Sequence, residues 1–142
     1  MSYAVAELRP GDRDLVYRFL SQEAYWSQGM PREIFDRSLE NSLSFTAYAG
    51  GQANAEKQVA GFARVVTDRA TFAWLCDVFV LPEHRGKGVS KLLMDAVMAH
   101  PDLARVRNFM LATRDAHGLY ARYGFAPLAE PARWMAIRRP YR

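Results

Sequence analysis

Apolar residues along the chain switch between two periods. Residues 3–8, "YAVAEL", alternate as a strand with one buried face does. "PGDRD" then opens a helix, with Asp12 placed to cap it and Leu15, Phe19 and Leu20 as its inward stripe. "YWSQGM" breaks that stripe and reads as a loop carrying aromatic side chains, after which Pro31 suits the first turn of a second helix bearing Ile34, Phe35 and Leu39. Two β-rich runs, "SLSFTAYAG" and "VAGFARVVTD", flank the polar "GQANAEKQ" and predict a hairpin.

The run "TFAWLCDVFVL" at 71–81 is apolar at both alternating sets of positions except Asp77, the pattern of a central strand covered by helices on both faces. Beyond "PEHRGKG", residues Val89, Leu92, Leu93, Ala96 and Val97 recur at one-face helical spacing until Pro101 stops the helix near His100. "RNFMLAT" reads as a fifth strand, "DAHGLYARYG" as a short helix closed by Gly124, and "FAPL" and "RWMAIRR" as final strands. Strands both precede and alternate with helices, so the expected class is mixed α and β. No repeat or linker divides the chain, so residues 1–142 are expected to form one domain.

Composition adds exclusions. With 142 residues, 50% of them hydrophobic, the chain is long enough to bury about two thirds of its unfolded surface. A single cysteine, Cys76, excludes an internal disulfide and suits a reducing compartment. The opening "MSYAVAELRPGDRD" carries charges where a signal peptide is apolar, and no uncharged run approaches the roughly 18 residues that span a bilayer; a cytoplasmic protein without membrane association is expected. The net charge of +4 admits anionic partners, but the basic residues are dispersed from Arg9 to Arg142 with no recognisable module, so no nucleic-acid partner is expected. His84, His100 and His117 lack metal-ligand spacing and Cys76 has no CxxC partner, so no metal site is expected.

The chemistry concentrates in "PEHRGKGVSKLLM", residues 82–94. Gly86 and Gly88 permit backbone conformations that side chains forbid, leaving amide N–H groups ahead of Val89 to face inward. The helix dipole places about half a positive charge there, and Arg85, Lys87 and Lys91 add full ones, so a phosphate or pyrophosphate is the natural guest. The nucleotide loop GxxxxGK[ST] is absent, and GxGxxG fails because Lys91 stands at its last glycine.

These residues resemble the GNAT superfamily of acetyl-CoA-dependent N-acetyltransferases. Its pyrophosphate turn [QR]xxGx[GA] is met by Arg85, Gly86, Lys87, Gly88, Val89 and Ser90, with Ser90, itself small, departing from the glycine or alanine of the last position. "LYARYGF" at 119–125 is similar to the family's "LYxxxGF" about thirty residues later, and the element order matches from Tyr3 to Arg138. The resemblance implies a GNAT-like α+β fold: a twisted, mostly antiparallel sheet of about 6–7 strands with about four helices on both faces. It further implies that the strand ending at Val80 splays from "RNFMLAT", so that backbone groups of Phe79 and Val80 bond the pantetheine arm of acetyl-CoA or coenzyme A and one of their amides faces the thioester oxygen.

A charged amine must lose a proton before it attacks, and Asp77, the only carboxylate of its strand and flanked along one face by Leu75 and Phe79, is the expected base, direct or through water. Tyr120, the tyrosine of "LYxxxGF", is the expected proton donor to the leaving thiolate, ahead of Tyr123. Asp115 is expected to cap the helix before it. By the resemblance, the acceptor groove lies beside Tyr25, Trp26, Met30 and Trp134, aromatic and apolar residues that suit a small-molecule amine with an apolar body. A peptide or protein acceptor, or a non-catalytic acyl-CoA sensor, remains the alternative, and either a monomer or a homodimer is open.

Overall fold

The computed structural model describes residues 2–50 and 57–141, so most of the predicted polar turn between the hairpin strands lies outside the described residues. Five strands form one sheet in chain order: β1 (Tyr3–Ala6), β2 (Leu43–Ala49), β3 (Gln58–Thr67), β4 (Phe72–Val80) and β5 (Asn108–Leu111). The first four pair antiparallel, and β5 runs parallel to β4. That reversal requires a crossover, supplied by α3 (Val89–Ala99).

The sheet is covered on both faces. On one, α3 presents Val89, Leu93, Met94 and Val97 to Ala47, Ala63, Ala73 and Leu75. On the other, α1 (Arg13–Arg18), the π-helical turn Phe19–Glu23 and α2 (Arg32–Glu40) bring Val16, Leu20 and Phe35 against Phe62 and Phe79. Gly61 on β3 sits where α3 presses hardest. A Cβ built there would lie 2.9 Å from the Phe79 carbonyl oxygen and 3.0 Å from Val89 Cγ1.

Strand β4 is not one continuous pleat. Phe62 pairs with Phe79 and Arg64 with Cys76, leaving Ala63 opposite both Asp77 and Val78, a β-bulge. Asp77 adopts φ +55°, the left-handed region that residues with a Cβ seldom occupy. The extra residue inverts the inside–outside pattern. Leu75 therefore packs on the α3 side whereas Phe79 joins the α1/α2 side, which corrects the expectation that the two flank Asp77 along one face.

Two further expectations are corrected. "FAPL" and "RWMAIRR" are not strands; past α4 (His117–Ala121) and Gly124 the chain runs without ladder pairing, apart from a 3-10 turn at Pro131–Arg133. Neither predicted cap holds. Asp12 instead accepts from Arg9 Nε and Tyr48 Oη, and the Ala116 amide at the start of α4 donates to Thr113 Oγ1 rather than to Asp115.

Candidate active site

Register alone opens the site. Strand β4 pairs with β5 only from Phe72 to Leu75, although β4 continues to Val80, so residues 76–80 have no strand on that side. The Leu81 amide donates to the Ala60 carbonyl on β3, and strand alternation then turns the backbone groups of Val80 away from β3, toward the gap. The Val80 carbonyl is reached there by Arg85 Nε at 2.9 Å.

A cleft of about 660 Å³ occupies the gap. Val78, Phe79 and Val80 form one wall, Arg85, Gly86, Gly88, Val89 and Ser90 the turn end, and Ala116, Leu119 and Tyr120 the opposite side. At the turn, Gly86 and Gly88 adopt φ +75° and +79°, and a Cβ on either would meet nothing within 4 Å: both glycines border open space. The first ladder bond of α3 runs from the Leu92 amide to the Gly88 carbonyl. Among the described residues, the amides of Gly86, Lys87, Gly88, Val89, Ser90 and Lys91 have no backbone acceptor, so a row of donors at a helix start faces the cleft end. Residues present fit a diphosphate there.

Tyr120 is buried, and burial raises its pKa above the ordinary tyrosine value. Its hydroxyl has no hydrogen-bond partner among the described residues and its ring borders the cleft. Tyr123 differs: its hydroxyl donates to Asp95 Oδ1 at 3.0 Å on the outer side of α3, which occupies it elsewhere.

Asp77 is placed behind the wall rather than in the cleft lining. Its Oδ2 accepts from Arg64 Nε at 2.8 Å and its Oδ1 from Trp26 Nε1 at 3.0 Å, both in a largely closed environment. Tyr25 and Trp26 do line the cleft, edge to face with each other, and Arg114 stacks over Tyr25 at 3.9 Å from the ring centroid. Met30 is buried in the α1/α2 core, and Trp134 stands half exposed outside the cleft lining. Lys87 likewise lies outside the lining, contributing charge nearby.

Sequence reasoning missed two cleft residues. Glu23, at the end of the π-helical turn, lines the cleft beside Tyr25 and has no salt-bridge partner among the described residues. Insertions of this helical type collect at functional sites, but nothing in "FLSQE" distinguishes one from an ordinary helix end. His84 is buried at the turn, with Nδ1 3.0 Å from the Tyr3 hydroxyl. Packing against β1, 81 residues away in sequence, leaves no local signal.

The family model for the acetyltransferase (GNAT) domain matches residues 40–127. The chain belongs to the GNAT acetyltransferase family. Its GNAT fold overlays a crystal structure of a GNAT-family acetyltransferase from Xanthomonas campestris pv. campestris with TM-score 0.89 and 48% identity, covering 99% of this chain and 95% of the other. An acetyltransferase of Gibberella zeae named FG08082 is 30% identical over 118 residues, covering 72% of this chain; the match spans 65% of that protein's length. A more distant neighbour, an acetyltransferase from Clostridium acetobutylicum crystallised with acetyl-CoA, shares the fold at TM-score 0.68 and 14% identity, covering 96% of each chain. Among the described residues, no helix is long and apolar enough to cross a membrane and no cluster of three or more His, Cys, Asp or Glu is placed to hold a metal.

Proposed function

We propose that this protein transfers the acetyl group of acetyl-CoA to the primary amine of a small molecule with an apolar or aromatic body, by direct attack in a ternary complex. The observation that carries the reading is the coincidence, in one cleft, of the unpaired β4 edge at 76–80 and the free amides at 86–91. The first takes an extended amide-bearing arm as a substitute strand, and the second takes its diphosphate. A thiol cosubstrate carrying both is the ligand that uses each feature.

In this reading the Val80 amide, turned to the gap, faces the thioester oxygen and supports the negative charge that develops on it. The acceptor nitrogen bonds to the carbonyl carbon, the carbon–sulfur bond breaks, and the thiolate takes the Tyr120 proton. Tyrosine is protonated at neutral pH, and burial, which raises the Tyr120 pKa, keeps this one so. The acceptor's own proton leaves to a carboxylate. Asp77, the base expected from sequence, is already engaged by Arg64 and Trp26 and does not line the cleft. Glu23 has a free carboxylate at the cleft wall and is the nearer acceptor for that proton, while Asp77 holds Trp26 and the bulge in place.

The test is release of coenzyme thiol from acetyl-CoA across a panel of amines. Turnover with phenylalkyl or long-chain amines above that with polyamines supports the reading. Saturable coenzyme binding without thiol release for any amine would replace it with an acyl-CoA sensor, and turnover only with peptide amino groups would replace the acceptor class.

A further inference from the structure

Two loops meet across the mouth of the cleft. Tyr25 and Trp26 follow the π-helical turn on one lip, and Arg114, in the loop between β5 and α4, precedes Asp115 on the other. The Arg114 guanidinium carbon stands 3.9 Å from the centroid of the Tyr25 ring, within the range of a cation stacked on an aromatic face. Arg114 is exposed and has no carboxylate partner among the described residues. A guanidinium is flat, so resting one face on Tyr25 leaves the opposite face open.

The neighbours of that open cation decide what can use it. Glu23 and Asp115 line the cleft beside it, and neither has a salt-bridge partner among the described residues. Two carboxylates at this end suit an acceptor's ammonium group and repel an acceptor carboxylate. The guanidinium is left to the electron-rich face of a neutral ring. Trp26 supplies a second surface: it meets Tyr25 edge to face, with centroids 5.1 Å apart and planes at 89°, and its Nε1 donates to Asp77 Oδ1 at 3.0 Å. The corner is therefore preformed, with Trp26 tied to β4 and Tyr25 held by the cation from the opposite lip.

We infer that Arg114 is a specificity-determining residue: the acceptor's aromatic ring stacks on the outer face of its guanidinium, against the Tyr25–Trp26 corner, with the ammonium end toward Glu23. The preference is for an aryl ring over a saturated ring of the same shape. It rests on the acetyl transfer proposed above and narrows the acceptor class. Contacts of this kind correspond to a preference of about 2- to 5-fold when exposed and about 30-fold when desolvated, so several-fold selectivity is the scale to look for.

The experiment measures kcat/KM, by release of coenzyme thiol from acetyl-CoA, for phenethylamine, cyclohexylethylamine and pentafluorophenethylamine, the last with an electron-poor ring face. The native protein should favour phenethylamine over each of the others by about fivefold or more. Arg114→Gln, a change at an exposed position, should bring both ratios to within about twofold of unity. Equal use of the three amines by the native protein, or ratios that Arg114→Gln leaves in place, overturns the inference while the acetyl transfer stands. Phenylalanine used better than phenethylamine would make Arg114 a carboxylate site, and that also overturns it. Absence of thiol release with every amine removes the transfer reaction itself, and the inference falls with it.

Discussion

Arg64 Nε and Asp77 Oδ2 lie 2.8 Å apart with both side chains largely closed to solvent, joining the two strands at the bulge. Removing one partner leaves the other charge buried alone. Arg64→Met is expected to cost about 3–5 kcal/mol in chemical denaturation, whereas Arg64→Met with Asp77→Leu should recover a large part of that loss. If the double variant is as unstable as the sum of the single ones, the two residues do not act as a pair.

Gly61 is required by contact rather than by its dihedral angles. Gly61→Ala drives a methyl against the Phe79 carbonyl and Val89, and overpacking of this kind typically costs about 1–3 kcal/mol. Thermal unfolding checks it. An unshifted midpoint would mean that α3 can retreat from the sheet.

Gly88 is the reverse case, with open space beside it and φ +79°. Gly88→Ala should lower stability by about 1–2 kcal/mol through the left-handed conformation alone. If the turn grips a diphosphate, calorimetry should show coenzyme affinity falling at least about tenfold, well beyond what partial unfolding explains. Retained affinity would move the phosphate site elsewhere.

Tyr120→Phe should lower turnover by about 10²- to 10⁴-fold with little change in coenzyme affinity. Because burial raises the Tyr120 pKa, the folded protein holds this proton above the ordinary tyrosine range. The sign follows: the folded state binds more protons than the unfolded one in that window, so this contribution to stability is complete below about pH 10 and is lost as pH rises through the folded value. An alkaline loss of turnover centred near neutrality would belong to another group.

Burial pushes the Cys76 thiol up to about 12, against the lowering effect of Arg64. At pH 8 only about one molecule in 10⁴ carries the thiolate. Cys76→Ala should therefore keep activity, and native protein should react with a disulfide reagent far more slowly than unfolded protein does. Rapid native labelling would reopen a covalent intermediate.

The parts readable in sequence are those governed by local rules. The turn at 82–88 followed by the apolar stripe from Val89 marked a strand, a glycine turn and a helix, and each is present. The bulge at Asp77 left no such mark, since an aspartate amid apolar residues looks the same whether it points from a flat strand or creates an extra residue in a kinked one. Strand-like alternation in "RWMAIRR" was visible, but alternation shows that a segment can pair and not that a neighbour is there to pair with, and Met135 and Ile137 stand exposed outside the sheet. The caps at Asp12 and Asp115 failed because neighbouring groups, Arg9 and Tyr48 in one case and Thr113 in the other, competed for the same bonds.

One inserted position in β4 settles two matters at once. It decides which layer of the molecule Phe79 belongs to, and it brings a negative charge to the place where the neighbouring strand supplies a positive one. Shape and charge balance at this point are therefore one constraint: straightening the kink would take the carboxylate from its guanidinium, and removing the guanidinium would leave that carboxylate closed off without its counter-charge.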